Sequence, residues 1–357
     1  MDTTTLATTT PDQTLAGRWQ ALLAAEPNLR IRSVADRLGV SEMELIRLRD
    51  EDALIPLQNR FAELLKSLET VGPVMILTRN NEAVHEVTGT FSNFTAGKSG
   101  AMGLAVGEID IRVFFNNWAW GYWVREEVRS GLRESLQFFD RYGTAVHKIY
   151  RVEQTDARAW AGLLADYRGP RLAPFVAAGK REVPARVPVA EVNAELLREG
   201  WQQLKDVHHF NALLKRAGTD RLTALEIVRG EWATELQRTD GEVLDCLLTL
   251  LRDNLCPAMF FVGNPGIVQI YTGQVVNLRR TGSWMNVLDD GFNLHANTDE
   301  VRRWWVVRRP STDGLITSVE AFNNDGELVL TVFGARKPGI PESDHWRAQV
   351  STLEALS

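Results

Sequence analysis

The spacing of hydrophobic residues changes along the chain from the period of a helix to that of a strand. Residues 17–69 repeat apolar side chains at helical intervals, as at Trp19, Leu22 and Leu23. From Val74 to about Tyr150 the apolar residues instead form short β-rich runs separated by turns that contain Gly and Asn. This pattern predicts a helical opening, a meandering antiparallel sheet and a closing helix over 155–167.

The same order of elements then begins again. Residues 171–188 are rich in proline and are predicted to be a linker, because repeated prolines resist both helix and central strand. Helical periodicity returns from about Val189 to Gln237, strands resume at AMFFV (258–262), and a final helix is predicted at the end. We therefore predict an N-terminal repeat over 17–170 and a C-terminal repeat over 189–357.

A comparison of the chain with itself indicates a duplication. The segment PVMILTRNNEAVHEVTG (73–89) aligns without a gap to PAMFFVGNPGIVQIYTG (257–273), and SLQFFDRYGTAV (135–146) aligns to SVEAFNNDGELV (318–329). Self-similarity at a fixed spacing is typical of repeated structural units. The predicted fold class is therefore α+β, a tandem structural duplication in which each half has helices followed by a large antiparallel β-sheet.

Composition excludes several classes of function. The net charge of −6 provides no positive field for a phosphate backbone, so we expect no nucleic-acid partner. The two cysteines lack the spacing of a zinc site or a disulfide framework. The first residues do not form a secretory signal, and no run of 18 apolar residues occurs, which predicts a cytoplasmic protein without membrane insertion.

The clearest candidate for chemistry is a pair of adjacent histidines in LLREGWQQLKDVHHFNALLKRAG (196–218), which is predicted to be one helix. At about 100° per residue, His208 continues an apolar stripe with Trp201 and Leu204, whereas His209 falls on the polar side. This phase predicts that His208 faces inward and His209 faces solvent. A hydrogen-bonded core histidine and a metal ligand both remain open at this stage.

If His208 binds a metal, the sequence favours haem over a bare ion. The other histidines show no zinc or non-haem iron spacing, and GxGxxG, Walker, GxSxG and HExxH motifs are absent. A single histidine suits haem, because the porphyrin provides the other four iron ligands. The propionates would need arginines, although an arginine taken alone is most often a surface charge. The candidates are Arg112, Arg221, Arg308, Arg309 and Arg336.

Strand alternation adds an aromatic residue to this set. In IDIRVFF, Arg112 and Phe114 are two residues apart and are predicted to share one face of a strand. A cation beside an aromatic ring fits the edge and the face of a planar ligand. The alternative is that Phe114 belongs to the core and Arg112 lies at a sheet edge.

Eight segments together resemble the HemS/ChuS/PhuS family of bacterial haem-degrading and haem-trafficking factors over nearly the full length. They are LTRNNEAVHEVTG, IDIRVFF, SLQFFDRYGTAVHKIY, DVHHF, GNPGIVQIYTG, SWMNVLDDGFNLH, WWVVRRPSTDG and VFGARKPG. The resemblance implies two structurally similar halves whose sheets pack centrally. It also implies that haem (iron protoporphyrin IX) is the ligand or the substrate.

The resemblance assigns roles to individual residues. It makes His208 the axial ligand of the haem iron, with His209 as a possible alternate. It places Arg112, Arg221, Arg309 and Arg336 around the haem, with Phe114 lining the entrance to the site. Where the family tends to have a tyrosine before VFGxR, this chain reads LVLTVFGAR, so the resemblance supplies no distal residue here.

The implied function is uptake of imported haem and its oxidative degradation to release iron, with an external electron donor. Two alternatives remain: a carrier that delivers haem to a separate haem oxygenase, and a scaffold without enzymatic activity. The implied partners are haem itself and a haem uptake transporter, a reductase or a haem oxygenase. The sequence leaves open whether the protein is an enzyme.

Overall fold

The computed structural model describes residues 14–128, 131–170, 175, 178–237, 242–337 and 339–357. The chain divides into two compact units. The first unit contains Met1–Val74, Ala96–Gly103 and Phe114–Arg181, and the second contains Met75–Thr95, Leu104–Val113 and Glu182–Ser357. The repeat boundaries at 17–170 and 189–357 stay a prediction. Part of the predicted linker, residues 171–174, 176 and 177, lies outside the described residues.

Helices open each half of the sequence and close it, as the periodicity predicts. Side-chain caps define several helix starts: Thr14 accepts from the backbone N–H of Gly17, and Ser41 forms a capping box with Glu44. The helices are α1 (Leu15–Ala25), α2 (Ile31–Leu38), α3 (Glu42–Ile46), α4 (Phe61–Ser67), α5 (Ala157–Tyr167), α6 (Ala194–Gln202), α7 (Phe210–Ala217), α8 (Arg221–Ile227), α9 (Glu242–Asp253) and α10 (Asp344–Leu356).

The strands form two large antiparallel sheets, which confirms the α+β fold class. They are β1 (Leu54–Pro56), β2 (Pro73–Arg79), β3 (Ala83–Thr90), β4 (Thr95–Ala96), β5 (Met102–Ala105), β6 (Asp110–Phe114), β7 (Trp120–Val128), β8 (Gly131–Phe139), β9 (Ala145–Arg151), β10 (Ala233–Leu236), β11 (Ala258–Asn264), β12 (Ile267–Gly273), β13 (Leu278–Thr281), β14 (Trp284–Asp289), β15 (Phe292–Asn297), β16 (Val301–Ser311), β17 (Gly314–Asn323) and β18 (Leu328–Gly334). The expectation of continuous helical structure up to Gln237 is wrong at β10.

In the first unit, four strands follow the order β1-β7-β8-β9. Leu54 lies opposite Val124 in the register of β1 with β7, and Trp123 lies opposite Leu136 in that of β7 with β8. The helix α3 contributes Met43 to a buried cluster that contains Val124. The apolar face of this sheet is thereby covered by helix, as a half-buried sheet requires.

In the second unit, strands from the two halves of the sequence pair with each other. One series follows the order β2-β3-β15-β14-β13, and the other includes β10-β16-β17-β18-β11-β12-β6. Phe292 of β15 lies opposite Val87 of β3, and Arg112 of β6 lies opposite Val268 of β12. Since these partners are far apart in sequence, the two halves form this unit jointly.

The duplication is visible in the order of the elements. A short strand and three long antiparallel strands occur as β1-β7-β8-β9 and again as β10-β16-β17-β18. A helix follows the last of these strands in each half, α5 after β9 and α10 after β18. Each half therefore has helices followed by antiparallel strands, as the sequence comparison predicts.

A close contact between β18 and α10 provides a test of packing. A Cβ added at Gly334 would lie 2.5 Å from Cγ of Trp346, whose side chain is fully buried and donates to the carbonyl of Thr317. We expect Gly334→Ala to lower the free energy of unfolding by about 1–3 kcal/mol, because an overpacked core must shift its side chains or backbone. Urea unfolding followed by circular dichroism would measure this loss.

The matched control is Gly162→Ala in α5, where an added Cβ meets no atom within 4 Å. There we expect a gain of up to about 1 kcal/mol, because alanine has a higher helix propensity than glycine. An unchanged urea midpoint for Gly334→Ala would contradict the tight contact with Trp346.

Candidate functional site

The two histidines lie on a short 3-10 turn, Val207–His209, which leads directly into α7. The prediction of one helix over 196–218 is wrong, because α6 ends at Gln202 and Asp206 adopts an extended backbone. The Asp206 carboxylate accepts a hydrogen bond from the backbone N–H of His208 at 2.8 Å and so starts the new turn. Aspartate is a strong N-cap residue, and this was the sequence signal for the break.

The break changes the direction of the first histidine. The His208 side chain is 80% exposed, so the prediction that it continues a buried apolar stripe is wrong. Trp201 and Leu204 of that stripe are buried, but the extended backbone of Asp206 after them resets the helical phase. His209 is exposed, which confirms its predicted position on the polar side.

The imidazole of His208 is held on one side only. Its Nδ1 lies 2.6 Å from Oδ1 of Asp206. Within the described part of the chain, its Nε2 has no hydrogen-bond partner. The hydrogen bond from the backbone N–H of His208, together with the imidazole, lowers the pKa of the Asp206 carboxyl. At neutral pH, Asp206 is therefore an anion in contact with the ring.

Two aromatic rings anchor the segment that carries the turn. Phe210 is buried and packs edge-on against Trp201, with ring centroids 4.8 Å apart. The indole of Trp201 donates to the carbonyl of Arg308 at 2.9 Å, and the carbonyl of Lys205 accepts from the backbone N–H of Thr312 at 3.0 Å. Both bonds connect the segment to β16 and the turn that follows it, which fixes the histidine turn against the sheet.

Two of the predicted arginines meet at one buried carboxylate. Arg221 binds both oxygens of Glu320, through Nε at 2.7 Å and a terminal nitrogen at 2.8 Å. Arg309 binds one of these oxygens at 2.7 Å and donates to the hydroxyl of Ser318 at 3.0 Å. The Arg309 guanidinium also lies over the Phe210 ring, 4.1 Å from its centroid. The structure thus brings Arg221 and Arg309 together, directly beside the aromatic anchor of the histidine turn.

The charges of this triad stabilise one another. Burial lowers the pKa of Arg309 to about 10, against the opposing pull of Glu320, so the guanidinium stays charged at neutral pH. Burial alone would raise the pKa of Glu320, but Arg221 and Arg309 outweigh it and hold that pKa well below its usual range. Sequence reasoning missed Glu320. Its signal is an acidic residue within the otherwise uncharged strand run LITSVEAF.

The other predicted cations also have acidic partners. Arg112 pairs with Asp110 on its own strand, and Arg336 pairs with Asp313. Arg308 pairs with Glu354. The sequence argument required cations that are not already paired within the protein, and none of the five candidates meets that requirement in this structure. Their haem-binding roles stay predictions.

The position of the predicted aromatic residue is partly as expected. Phe114 and Arg112 are both half-buried, while the alternate residues Ile111 and Val113 are buried, which confirms that the two share a face. Phe114 belongs to the first unit, whereas Arg112 and the other predicted site residues belong to the second. Its role at the entrance of a site stays a prediction.

The available donors suit haem. A single exposed imidazole with an unpartnered Nε2 can complete the coordination of an iron whose four other ligands come from a porphyrin. The described ranges contain no group of three or more His, Cys, Asp or Glu side chains that could hold a metal ion. Within the same residues, no helix is both long enough and apolar enough to cross a membrane.

The comparisons with known proteins establish the family. The family model described as "Haemin-degrading HemS.ChuX domain" matches the chain twice, at residues 39–167 and 218–353. These two matches span most of the chain, and each falls in one half of the duplicated sequence. The chain belongs to the HemS/ChuS/PhuS family, as its sequence segments indicate.

Individual relatives match over almost their whole length. The hemin transport protein HmuS of Yersinia pestis is 36% identical over 92% of this chain and 94% of that protein. The hemin transport protein HemS of Yersinia enterocolitica is 35% identical over the same shares. Each of these matches extends over both halves of the duplicated sequence.

Solved structures of the family have the same fold. The crystal structure of holo-PhuS, a heme-binding protein from Pseudomonas aeruginosa, superposes with a TM-score of 0.90 at 43% identity, covering 96% of this chain and 99% of that chain. The Escherichia coli O157:H7 heme degrading enzyme ChuS superposes with a TM-score of 0.85 at 32% identity, covering 94% and 97%. The fold is therefore shared by relatives described as binding proteins and as enzymes.

Proposed function

We propose that this protein binds imported haem in the cytoplasm, with His208 as the axial ligand of the iron. The observation that carries the proposal is the His208 imidazole, which is 80% exposed and has no partner for Nε2 within the described residues. Family membership supports haem as the ligand, since the relatives are described as hemin transport or heme-binding proteins. His209, exposed on the same turn, is an alternate ligand.

The remaining site residues would hold the porphyrin. Arg112, Arg221, Arg309 and Arg336 are proposed to receive the propionates, with Phe114 lining the entrance. Each arginine already has an acidic partner, so a propionate must replace a carboxylate of the protein. Exchange of one carboxylate for another keeps an anion beside each guanidinium, and at Arg221, which binds both oxygens of Glu320, it can also keep a bidentate pair.

We further propose that the bound haem is degraded oxidatively to release its iron. Bound haem, given an external electron donor, supplies the oxygen chemistry, while the protein holds and orients it. The likeness to ChuS, which is described as a heme degrading enzyme, supports this fate. The task of this chain's residues is then to fix the ring through His208 and the arginines.

A haem carrier is the second candidate, and the exposure of the two histidines favours it. His208 and His209 lie side by side on a turn that solvent reaches, so a partner protein could reach a ligand at either position. Such a carrier would accept haem from an uptake transporter and deliver it to a separate haem oxygenase.

A degradation assay separates the two fates. Haem-loaded protein is given a reductant and oxygen with catalase present, while the Soret band and the tetrapyrrole products are followed. We expect the Soret band to decay and a ring-opened tetrapyrrole to appear, faster than with free hemin under the same conditions. An unchanged Soret band would contradict the enzyme, and transfer of intact haem to a purified haem oxygenase would then support the carrier.

A further inference from the structure

We propose that Asp206 is the positioning residue of the haem-binding histidine. Its carboxylate holds the His208 ring in the tautomer that has its proton on Nδ1, and it turns Nε2 outward as the atom that binds iron. This inference rests on the proposed role of His208, and it adds a residue whose task is to select and orient the ligand atom.

The hydrogen bonds of one carboxylate oxygen carry the argument. Oδ1 of Asp206 lies 2.8 Å from the backbone nitrogen of His208 and 2.6 Å from Nδ1 of the same residue. An ionised carboxylate only accepts hydrogen bonds, so Nδ1 must be the donor and carry a proton. In a neutral imidazole with its proton on Nδ1, the free lone pair is on Nε2. That is the atom without a partner.

The same contacts define the direction of the ring. Because one oxygen binds both the backbone and the ring of His208, the imidazole cannot turn without losing the bond to Nδ1. The turn itself is fixed on both sides, by the bond from Thr312 to the carbonyl of Lys205 and by the buried ring of Phe210. The position of Nε2 is therefore set relative to the sheet and not only relative to an exposed loop.

The neighbouring histidine lacks this arrangement. The backbone N–H of His209 donates to the carbonyl of Asp206 at 3.1 Å, but its ring has no hydrogen-bond partner within the described residues. Two exposed imidazoles thus stand side by side, and only one is oriented by a carboxylate. Asp206 therefore favours His208 over His209 as the first ligand.

A carboxylate behind a ligating imidazole changes the properties of the metal. It increases the basicity of the ligating nitrogen, and loss of such a partner typically lowers metal affinity by about 10–100-fold. A more basic imidazole stabilises ferric iron more than ferrous iron. The wild-type protein should therefore have a lower midpoint potential than a variant without the carboxylate.

The first test uses the protein without haem. Long-range proton–nitrogen NMR spectra of His208 should show the proton on Nδ1 in the wild-type protein and on Nε2, the form that an unconstrained neutral histidine side chain prefers in water, in Asp206→Ala. Asp206→Ser keeps a capping oxygen and serves if the alanine variant folds poorly. If the alanine variant keeps the proton on Nδ1, the proposed role of Asp206 is wrong.

The control for loss of a cap is Asp156→Ala. Asp156 caps α5 through the backbone N–H groups of Arg158 and Ala159, both at 2.8 Å, and has no histidine in that cap. This variant loses a capping carboxylate of the same kind, so it should leave the His208 tautomer and the haem affinity unchanged. If Asp156→Ala changed the His208 tautomer and the haem affinity as Asp206→Ala does, the effect would come from a general loss of stability, and the proposal would be overturned.

The second test uses haem-loaded protein. In Asp206→Ala we expect the haem affinity to fall by about 10–100-fold, the midpoint potential to rise and the ferrous iron–histidine stretching frequency to fall. Asp206→Asn keeps an oxygen acceptor without its charge. Its haem affinity, midpoint potential and stretching frequency should lie between those of the wild-type and alanine proteins. If His208→Ala alters the haem spectrum but Asp206→Ala leaves potential and frequency unchanged, the positioning role fails and the ligand assignment stands. If His208→Ala changes nothing, the ligand assignment itself fails.

Discussion

Replacing His208 by alanine is expected to lower the haem affinity by about 100-fold or more, since loss of a mere outer partner already reaches about 100-fold. Such a loss corresponds to about 2.8 kcal/mol of binding free energy. The Soret band should shift at the same time, because the axial nitrogen is lost. Haem titration followed by absorbance measures both effects.

The adjacent histidine provides the matched control. His209→Ala removes the second exposed imidazole from the same turn, but that ring has no orienting hydrogen bond within the described residues. We expect the spectrum and affinity of His209→Ala to stay close to those of the wild-type protein. The double variant should lose any residual axial ligation that His209 supplies when His208 is absent. Wild-type behaviour of His208→Ala together with loss in His209→Ala would reverse the assignment.

Much of the fold follows from local pattern. Runs such as AVHEVTG and LVLTVFG alternate or concentrate apolar residues between turn signals, and the structure places β3 and β18 there. The strand β7 has no such pattern, because four successive residues, 121–124, are all buried and the next three, 125–127, are all charged. A strand buried on both faces loses the period of two that identifies it.

The pairing of distant strands has no local signal. Nothing in the sequence of β3 specifies that β15, which lies some two hundred positions later, is its neighbour. The hydrophobic pattern determines which face of each strand is buried, but any strand with a compatible face satisfies that condition. The duplication could be predicted because identities repeat, whereas the joint construction of the second unit from both halves could not.

The candidate site, like the fold, could be predicted only in part from the sequence. Helical periodicity and family resemblance select His208, and the resemblance selects four of the arginines, but the exposure of His208 depends on a break that helical phase ignores. The arginines are recognisable as cations, whereas their pairing with Asp110, Asp313 and Glu320 depends on the tertiary fold. A charge in a sequence indicates the capacity to bind an anion, and the structure decides which anion it binds.

Glu320→Gln is expected to lower the free energy of unfolding by about 3–5 kcal/mol, because it leaves Arg221 and the buried Arg309 without their common anion. Urea unfolding at pH 7 measures the loss. Glu354→Gln is the matched control, since Glu354 binds the adjacent Arg308 through both oxygens at 2.9 and 2.6 Å but is partly exposed. There we expect a loss below about 1 kcal/mol. Equal losses in the two variants would contradict a special role of the buried triad.

The pH dependence of the free energy of unfolding tests the contribution of Glu320 independently. The pKa of Glu320 is lower in the folded protein than in the unfolded chain. The stability that ionised Glu320 contributes is therefore fully present above its pKa in the unfolded chain, and it is lost as the pH falls towards its pKa in the folded protein. The difference between wild-type protein and Glu320→Gln should therefore be constant from pH 7 down to about 5 and narrow below about 4.3 by up to about 1.4 kcal/mol per pH unit. A difference that widens in acid would mean that Glu320 is protonated in the folded protein, and the buried Arg309 would then need another anion as its partner.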